Sequence, residues 1–161
     1  MLKLILKSLP IIAVSLVCFI GLSCAAAQPG NFGIYLSDSG ELVLSGDHIK
    51  AYHSDLQEFE LNQQGIDKWN SYLDYESTPK LKDSLFGRDF IIKIDGEEIC
   101  SGTFWSGISS SLPDGIIISE SMLRMDAGHT TIRITAGVLA SDNIKSEMKS
   151  INEQLADYFG R

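Results

Sequence analysis

The chain has 161 residues, a formal net charge of −8 at neutral pH and 44% hydrophobic side chains. That length suits one domain with a single core, and the acidic balance repels phosphate backbones, which makes nucleic acid a poor partner. Two of the three cysteines fall within the first 24 residues, so the rest of the chain holds no internal disulfide framework.

Lys3 and Lys7 give the N-terminus a positive start, and Leu9 to Leu22 is almost wholly apolar. Small residues from Gly21 to Ala27 close the run, the layout of a secretory signal over residues 1–24. Two processing routes fit. Ala25 and Ala27 suit a general signal peptidase that would leave Gln28 first, whereas Ser23-Cys24 suits lipoprotein processing, with Cys24 acylated. Gly21 stands where a lipoprotein motif usually has leucine. A third route leaves the segment uncut, although Ser8, Pro10 and Ser15 interrupt a stretch barely long enough to span a bilayer. Lipidation of Cys24 is the expectation carried forward, with secretion as its alternative. The first 24 residues hold two lysines and no acidic residue, so the remainder, with 21 acidic against 11 basic side chains, carries −10. Such a surface has little affinity of its own for anionic lipid, and an acyl chain would supply the membrane link.

Residues 25–31, with Pro29 and Gly30, read as a tether, and residues 32–161 as one α+β domain. Phe32 to Leu36 reads as a strand, Ser37 to Gly40 as a turn and Leu42 to Leu44 as a second strand. Ser45-Gly46-Asp47 offers capping chemistry for a helical turn running through Ile49 and Tyr52. Glu58 to Leu61 alternates in polarity, as a half-buried strand does. Asn62 can cap a helix whose Ile66, Trp69 and Leu73 share one face. Glu76 to Arg88 reads as a loop.

Phe90 to Ile94 is the clearest strand, and Asp95-Gly96 is the favoured pair for a two-residue hairpin turn. Glu97 to Trp105 returns as its antiparallel partner. A small-residue loop follows from Ser106 to Gly115, then strands at Ile116 to Ile118 and Thr131 to Thr135. Ser141 or Asp142 caps a last helix with Ile144, Met148, Ile151, Leu155 and Phe159 on its buried face. The order implies a mostly antiparallel sheet with two main helices packed on one face.

No residue pattern names a reaction. His48, His53 and His129 lack metal-ligand spacing, so no metal site and no cofactor is expected. Ser106 lacks a nucleophile elbow, and a hydrolase using Ser106, Asp126 or His129 remains the alternative, beside a small-molecule-binding module. Glu97 and Glu98 alternate on a strand and would limit edge pairing. Cys100 reads as a small buried hydrophobe. Phe104 and Trp105, at a strand end beside the serine-rich loop, are the first place to look for a partner-binding patch, although such aromatics more often belong to a core.

Three stretches, Glu41 to Ile49, Phe59 to Trp69 and Phe90 to Ile99, resemble in order the first periplasmic (head) domain of the SecD protein-export family. In that family a similar leucine-valine-leucine-threonine-glycine-aspartate run opens a short helix. A strand then leads to a helix with an early glycine, and an aspartate-glycine hairpin follows. The stretches cover about Leu42 to Ser101, less than half the chain. Cys100 to Trp105 departs from the family's small, proline-containing stretch after the hairpin. The resemblance implies an α+β head that contacts exported polypeptide; it implies no transport activity and carries over no functional residue. The expectation is a non-enzymatic, extracytoplasmic domain of the cell envelope that binds an exported polypeptide or another envelope protein.

Overall fold

The computed structural model describes residues 31–74, 84–120 and 124–160. The signal segment, including Cys24, and most of the tether fall outside them, as does most of the loop from Glu76 to Arg88.

The hairpin forms as its turn chemistry requires. β5 (Asp89–Ile94) and β6 (Glu97–Ser106) pair antiparallel, and the turn places Asp95 at φ 54° and Gly96 at φ 85°. A glycine and an aspartate tolerate those left-handed angles at little cost. β1 (Phe32–Leu36) adds to the other side of β5, with Ile34 opposite Ile92, and β2 (Leu42–Ser45) adds to β1. Beyond β6 come β7 (Ile116–Glu120), β8 (Thr131–Ala136), β4 (Glu58–Leu61) and β3 (Ile49–His53). Among the described residues this makes one eight-stranded sheet in the order β2-β1-β5-β6-β7-β8-β4-β3.

The two outermost strands in that order, β2 and β3, are joined by only the 3-10 turn Gly46–His48. Laid flat, eight strands about 4.8 Å apart would hold their edges roughly 34 Å from each other. Three linking residues reach about 14 Å at most. The sheet must therefore roll until its edges approach.

Inside the roll the alternation is regular. Phe32, Ile34, Phe90, Ile92, Phe104 and Ile118 face inward, as do Ile132, Ile134, Phe59 and Leu61 from the strands that follow. Both helices pack on this inner face. α1 (Gln63–Asn70) brings Trp69 against Phe104, ring centroids 6.0 Å apart, and α2 (Asp142–Phe159) brings Phe159 against Phe32 at 5.0 Å. The buried apolar residues described, apart from Ile117 and Ala140, form one cluster, and each large side chain in it contributes about 1.5–3 kcal/mol by leaving water. The α+β class, the antiparallel majority and the placement of both helices agree with the sequence expectation.

Caps fall where the sequence puts them. Asn62 Oδ1 accepts from Gly65 N–H at 3.0 Å, and Ser141 Oγ from Ile144 N–H at 3.4 Å. Asn62 also donates through Nδ2 to Asp47 O, and its N–H donates to His48 O. The 3-10 turn is thereby fastened to the start of α1.

Two local expectations are corrected, and one pairing goes beyond them. The helical turn ends at His48, and Ile49 to His53 is strand β3 rather than a continuation through Tyr52. β6 and β7 run parallel, joined by the loop 107–115, in a sheet that is otherwise antiparallel. Glu97 and Glu98, expected to alternate with one toward water, are both exposed at the hairpin end of β6.

Candidate functional site

The structure separates the two aromatic neighbours by face. Phe104 is wholly buried between Trp69 and Phe90. A side chain without exposed surface contributes to a partner site only by supporting it. Trp105 points to the outer face, half-buried against Phe86 at 5.2 Å between centroids.

Ile108 lies just past that strand end, and the loop that carries it rejoins the sheet at Ile116, level with Gly102 in the middle of β6. Ser106 is 1% exposed, and its Oγ accepts weakly from Ile108 N–H at 3.5 Å as the chain leaves β6. Ser109 N–H bonds back to Ser106 O, turning the loop outward. Further on, Leu139 N–H donates to Pro113 O at 3.0 Å and Gly137 N–H to Gly115 O at 2.7 Å. These bonds staple the loop after β6 to the loop after β8. Gly137 allows the approach, since a Cβ there would lie 2.5 Å from Pro113 O. Pro113, Gly137 and Ala140 are buried as the floor of the junction.

At this junction the two loops expose Leu112 (58%), Val138 (72%) and Leu139 (59%), and the loop after β6 also exposes Ile108 (65%) nearer the end of that strand. These are four of the six large hydrophobics exposed among the described residues, the others being Leu42 and Leu56. Such a concentration is what a contact surface requires, whereas scattered single apolar residues need no explanation. Composition alone did not single out these four. The available signal was two apolar pairs set in turns rich in serine, glycine and proline, where no strand or helix could bury them.

The candidate catalytic residues of the hydrolase alternative do not come together. Asp126 and His129 meet across a short turn, with Oδ1 3.4 Å from Nδ1 and both side chains 71% exposed. The Gly128 N–H and the His129 ring lower the Asp126 carboxyl below its usual range. No hydrogen bond among the described residues links either of them to Ser106. His48 Nδ1 accepts from Ser45 N–H at 3.0 Å, which ties the ring to the 3-10 turn. His53 lies beside Glu60, which also takes Lys50 at 2.6 Å; those two hydrogen bonds lower the Glu60 carboxyl. Among the described residues no group of three or more His, Cys, Asp or Glu side chains could hold a metal ion.

Cys100 is buried with a free thiol. Burial, aided by the carboxylates of Glu147 and Glu98, pushes its pKa up to about 12. A thiol so rarely ionised near neutral pH is a poor nucleophile. No helix among the described residues is long and apolar enough to cross a membrane.

Comparison with protein-family models, with curated proteins and with solved structures returns no match.

Proposed function

We propose that this chain is a non-enzymatic, extracytoplasmic domain that binds a polypeptide, held at the cell envelope by a lipid on Cys24. The observation that carries the binding reading is the pair of stapled loops exposing Ile108, Leu112, Val138 and Leu139. The resemblance to SecD head domains supports it. The three resembling stretches fall on β2 with the 3-10 turn, on β4 with α1, and on the β5–β6 hairpin. The signal segment supports export, and Ser23-Cys24 supports the anchor.

The geometry of the chain suits such a tether. Asn31 and Asp95 exchange hydrogen bonds, N–H to Oδ1 at 3.0 Å and N–H to O at 3.1 Å, so the tether leaves beside the hairpin turn. β6 runs about 17 Å at strand rise from that turn to Gly102, level with the stapled junction, and about 30 Å to its end beside Ile108. An anchor on Cys24 would hold the hairpin end toward the membrane and the apolar loops away from it.

The binding test uses a reduced, carboxymethylated, permanently unfolded protein as probe. It should associate with the full chain. Changing Ile108, Leu112, Val138 and Leu139 together to serine should weaken association by at least about tenfold, while leaving stability nearly unchanged at these exposed positions. Equal binding by the quadruple variant refutes the assignment. The anchor is tested by mass spectrometry of the mature N-terminus, where a diacylated or triacylated Cys24 is expected and an unmodified chain beginning at Gln28 refutes it.

A further inference from the structure

One half of β6 has a neighbouring strand on only one side. β5 pairs with β6 from Glu97 to Thr103, but β7 pairs only with Thr103 to Ser106. Among the described residues no hydrogen bond outside the β5 pairing reaches the main chain of Glu97 to Ser101. The direction of these free groups follows from the ladder. Phe104 N–H donates to Arg88 O and Phe104 O accepts from Gly87 N–H, so Phe104 directs its main-chain groups to the β5 side. By alternation, Thr103 and Ser101 direct theirs to the other side. Thr103 meets β7 there and Ser101 meets no strand. Ser101, Glu97 and Glu98 are exposed.

Beside this open edge, α2 leaves two clefts. One, of about 400 Å³, lies between α2 and the middle of β6, with Asp89, Asp114 and Glu147 in its lining. Asp89 there accepts a hydrogen bond from Thr103 Oγ1 at 2.8 Å. The other, of about 230 Å³, lies at the hairpin end, with Asp95, Glu97 and Asp157. Among the described residues neither lining contains Lys, Arg or His, and both include isoleucine, Ile116 and Ile144 in the first and Ile94 and Ile99 in the second.

An unpaired strand edge is a template for another strand, and an extended peptide that completes a sheet gains main-chain bonds there while its side chains read the adjoining surface. A second copy of this chain is a poor occupant, since its β6 edge would bring Glu97 and Glu98 against the same carboxylates. We propose that the open half of β6 is a docking edge for an extended, lysine- or arginine-bearing segment of a partner polypeptide, paired to β6 through Ser101 with its cationic side chains laid into the acidic clefts. The first cleft adjoins the apolar loops through Asp114 and Gly115, but the main-chain edge at Ser101 and the four apolar side chains are different groups, so either reading can fail alone.

The test uses a fluorescent peptide of about six residues, an ordinary strand length, alternating lysine and valine, together with its glutamate–valine counterpart. Titrated against the full chain, the lysine peptide should bind and the glutamate peptide should not. Affinity should fall as ionic strength rises from about 0.01 to about 0.15 M. Exposed ion pairs are each worth about 1.4- to 5-fold, so the triple change Glu97→Gln, Asp114→Asn and Glu147→Gln should weaken binding by about tenfold. Hydrogen exchange on the unaltered protein should show the Ser101 amide gaining protection when the lysine peptide is bound. Ser101→Pro, which removes that outward N–H, should abolish binding; if this variant does not fold, the exchange measurement decides. Equal binding of both peptides, an unchanged affinity in the triple variant, or protection appearing at β2 or β3 instead of Ser101 overturns the proposal. The quadruple serine variant of the loops should bind the lysine peptide normally. If it loses that peptide, the peptide sits on the loops and the docking edge is refuted while the loop reading stands.

Discussion

Gly65 tests the rolled architecture directly, because ordinary helix preference and the fold predict opposite signs there. Gly65 sits in the first turn of α1, where alanine would favour an isolated helix by about 1 kcal/mol. In the structure a Cβ on residue 65 would come closer than 3.0 Å to the carbonyl oxygen of His48 and lie 3.1 Å from Leu61 Cβ. The His48 carbonyl belongs to main chain held by Asn62 N–H, so it cannot swing aside as a flexible side chain would. Overpacking of this kind costs typically 1–3 kcal/mol, occasionally more, and here it works against the seam that brings β2 and β3 together. Because the clash is with fixed main chain, the upper part of that range applies, about 2–3 kcal/mol; less the helix preference, Gly65→Ala should be destabilising by about 1–2 kcal/mol, a fall of roughly 3–8 °C in Tm for a domain of this size. Gln64→Ala, exposed on the same turn, is the control and should leave Tm within about 2 °C. Thermal and urea unfolding followed by circular dichroism measure both. A Gly65→Ala protein as stable as the parent, or more so, would refute the contact between the 3-10 turn and α1.

Phe104→Ala should destabilise by about 3–5 kcal/mol, the usual cost of emptying an aromatic site in a core, whereas Trp105→Ala, on the outer face, should cost clearly less; urea midpoints rank the two, and the reverse order would overturn the assignment of faces. Cys100 should resist Ellman's reagent in the native protein near neutral pH and react once urea unfolds it, and rapid native labelling would contradict its burial. Its folded pKa lies above the ordinary thiol value of 9.0, so the folded state holds this proton more tightly. That contribution is fully present below pH 9 and is lost as pH rises toward about 12. Tyr52 and Tyr72, each raised chiefly by burial, act in the same direction at still higher pH. Urea midpoints should thus fall above about pH 9, and Cys100→Ala should remove the earliest part of that fall.

Much of the fold is written in local patterns. Asp95-Gly96, the Asn62 and Ser141 caps and the alternation of Phe90 to Ile94 each specify their element through nearby chemistry, and the structure uses each accordingly. β3 was hidden for a physical reason. Its register against β4 shifts between Ile49 and Ala51, which leaves Ile49 and Tyr52 three residues apart as the apolar positions. That spacing imitates a helical turn, and a capping sequence stands before it. The parallel pairing of β6 with β7 leaves no comparable local mark, because strand direction depends on where a distant loop returns. At the surface, the alternation that separates Phe104 from Trp105 was legible; the apolar loops were not, because their clustering depends on bonds between residues 113 and 139.

The extent of the open edge on β6 can be traced to particular residues. A parallel neighbour needs a crossover, and this one is made by the serine-rich loop 107–115. The loop rejoins the sheet at Ile116, whose carbonyl lies so close to Gly102 that any side chain at 102 would collide with it. Pro113, bonded to Leu139 N–H and close-packed on Gly137, holds the same approach from the β8 side. β7 therefore pairs from Thr103 onward and leaves Glu97 to Ser101 without a strand on that side. Changing Gly102 would move the start of β7, and with it the length of edge exposed. The serine, glycine and proline residues that make the stretch look structureless in sequence thus determine both the apolar loops and the strand edge beside the acidic clefts.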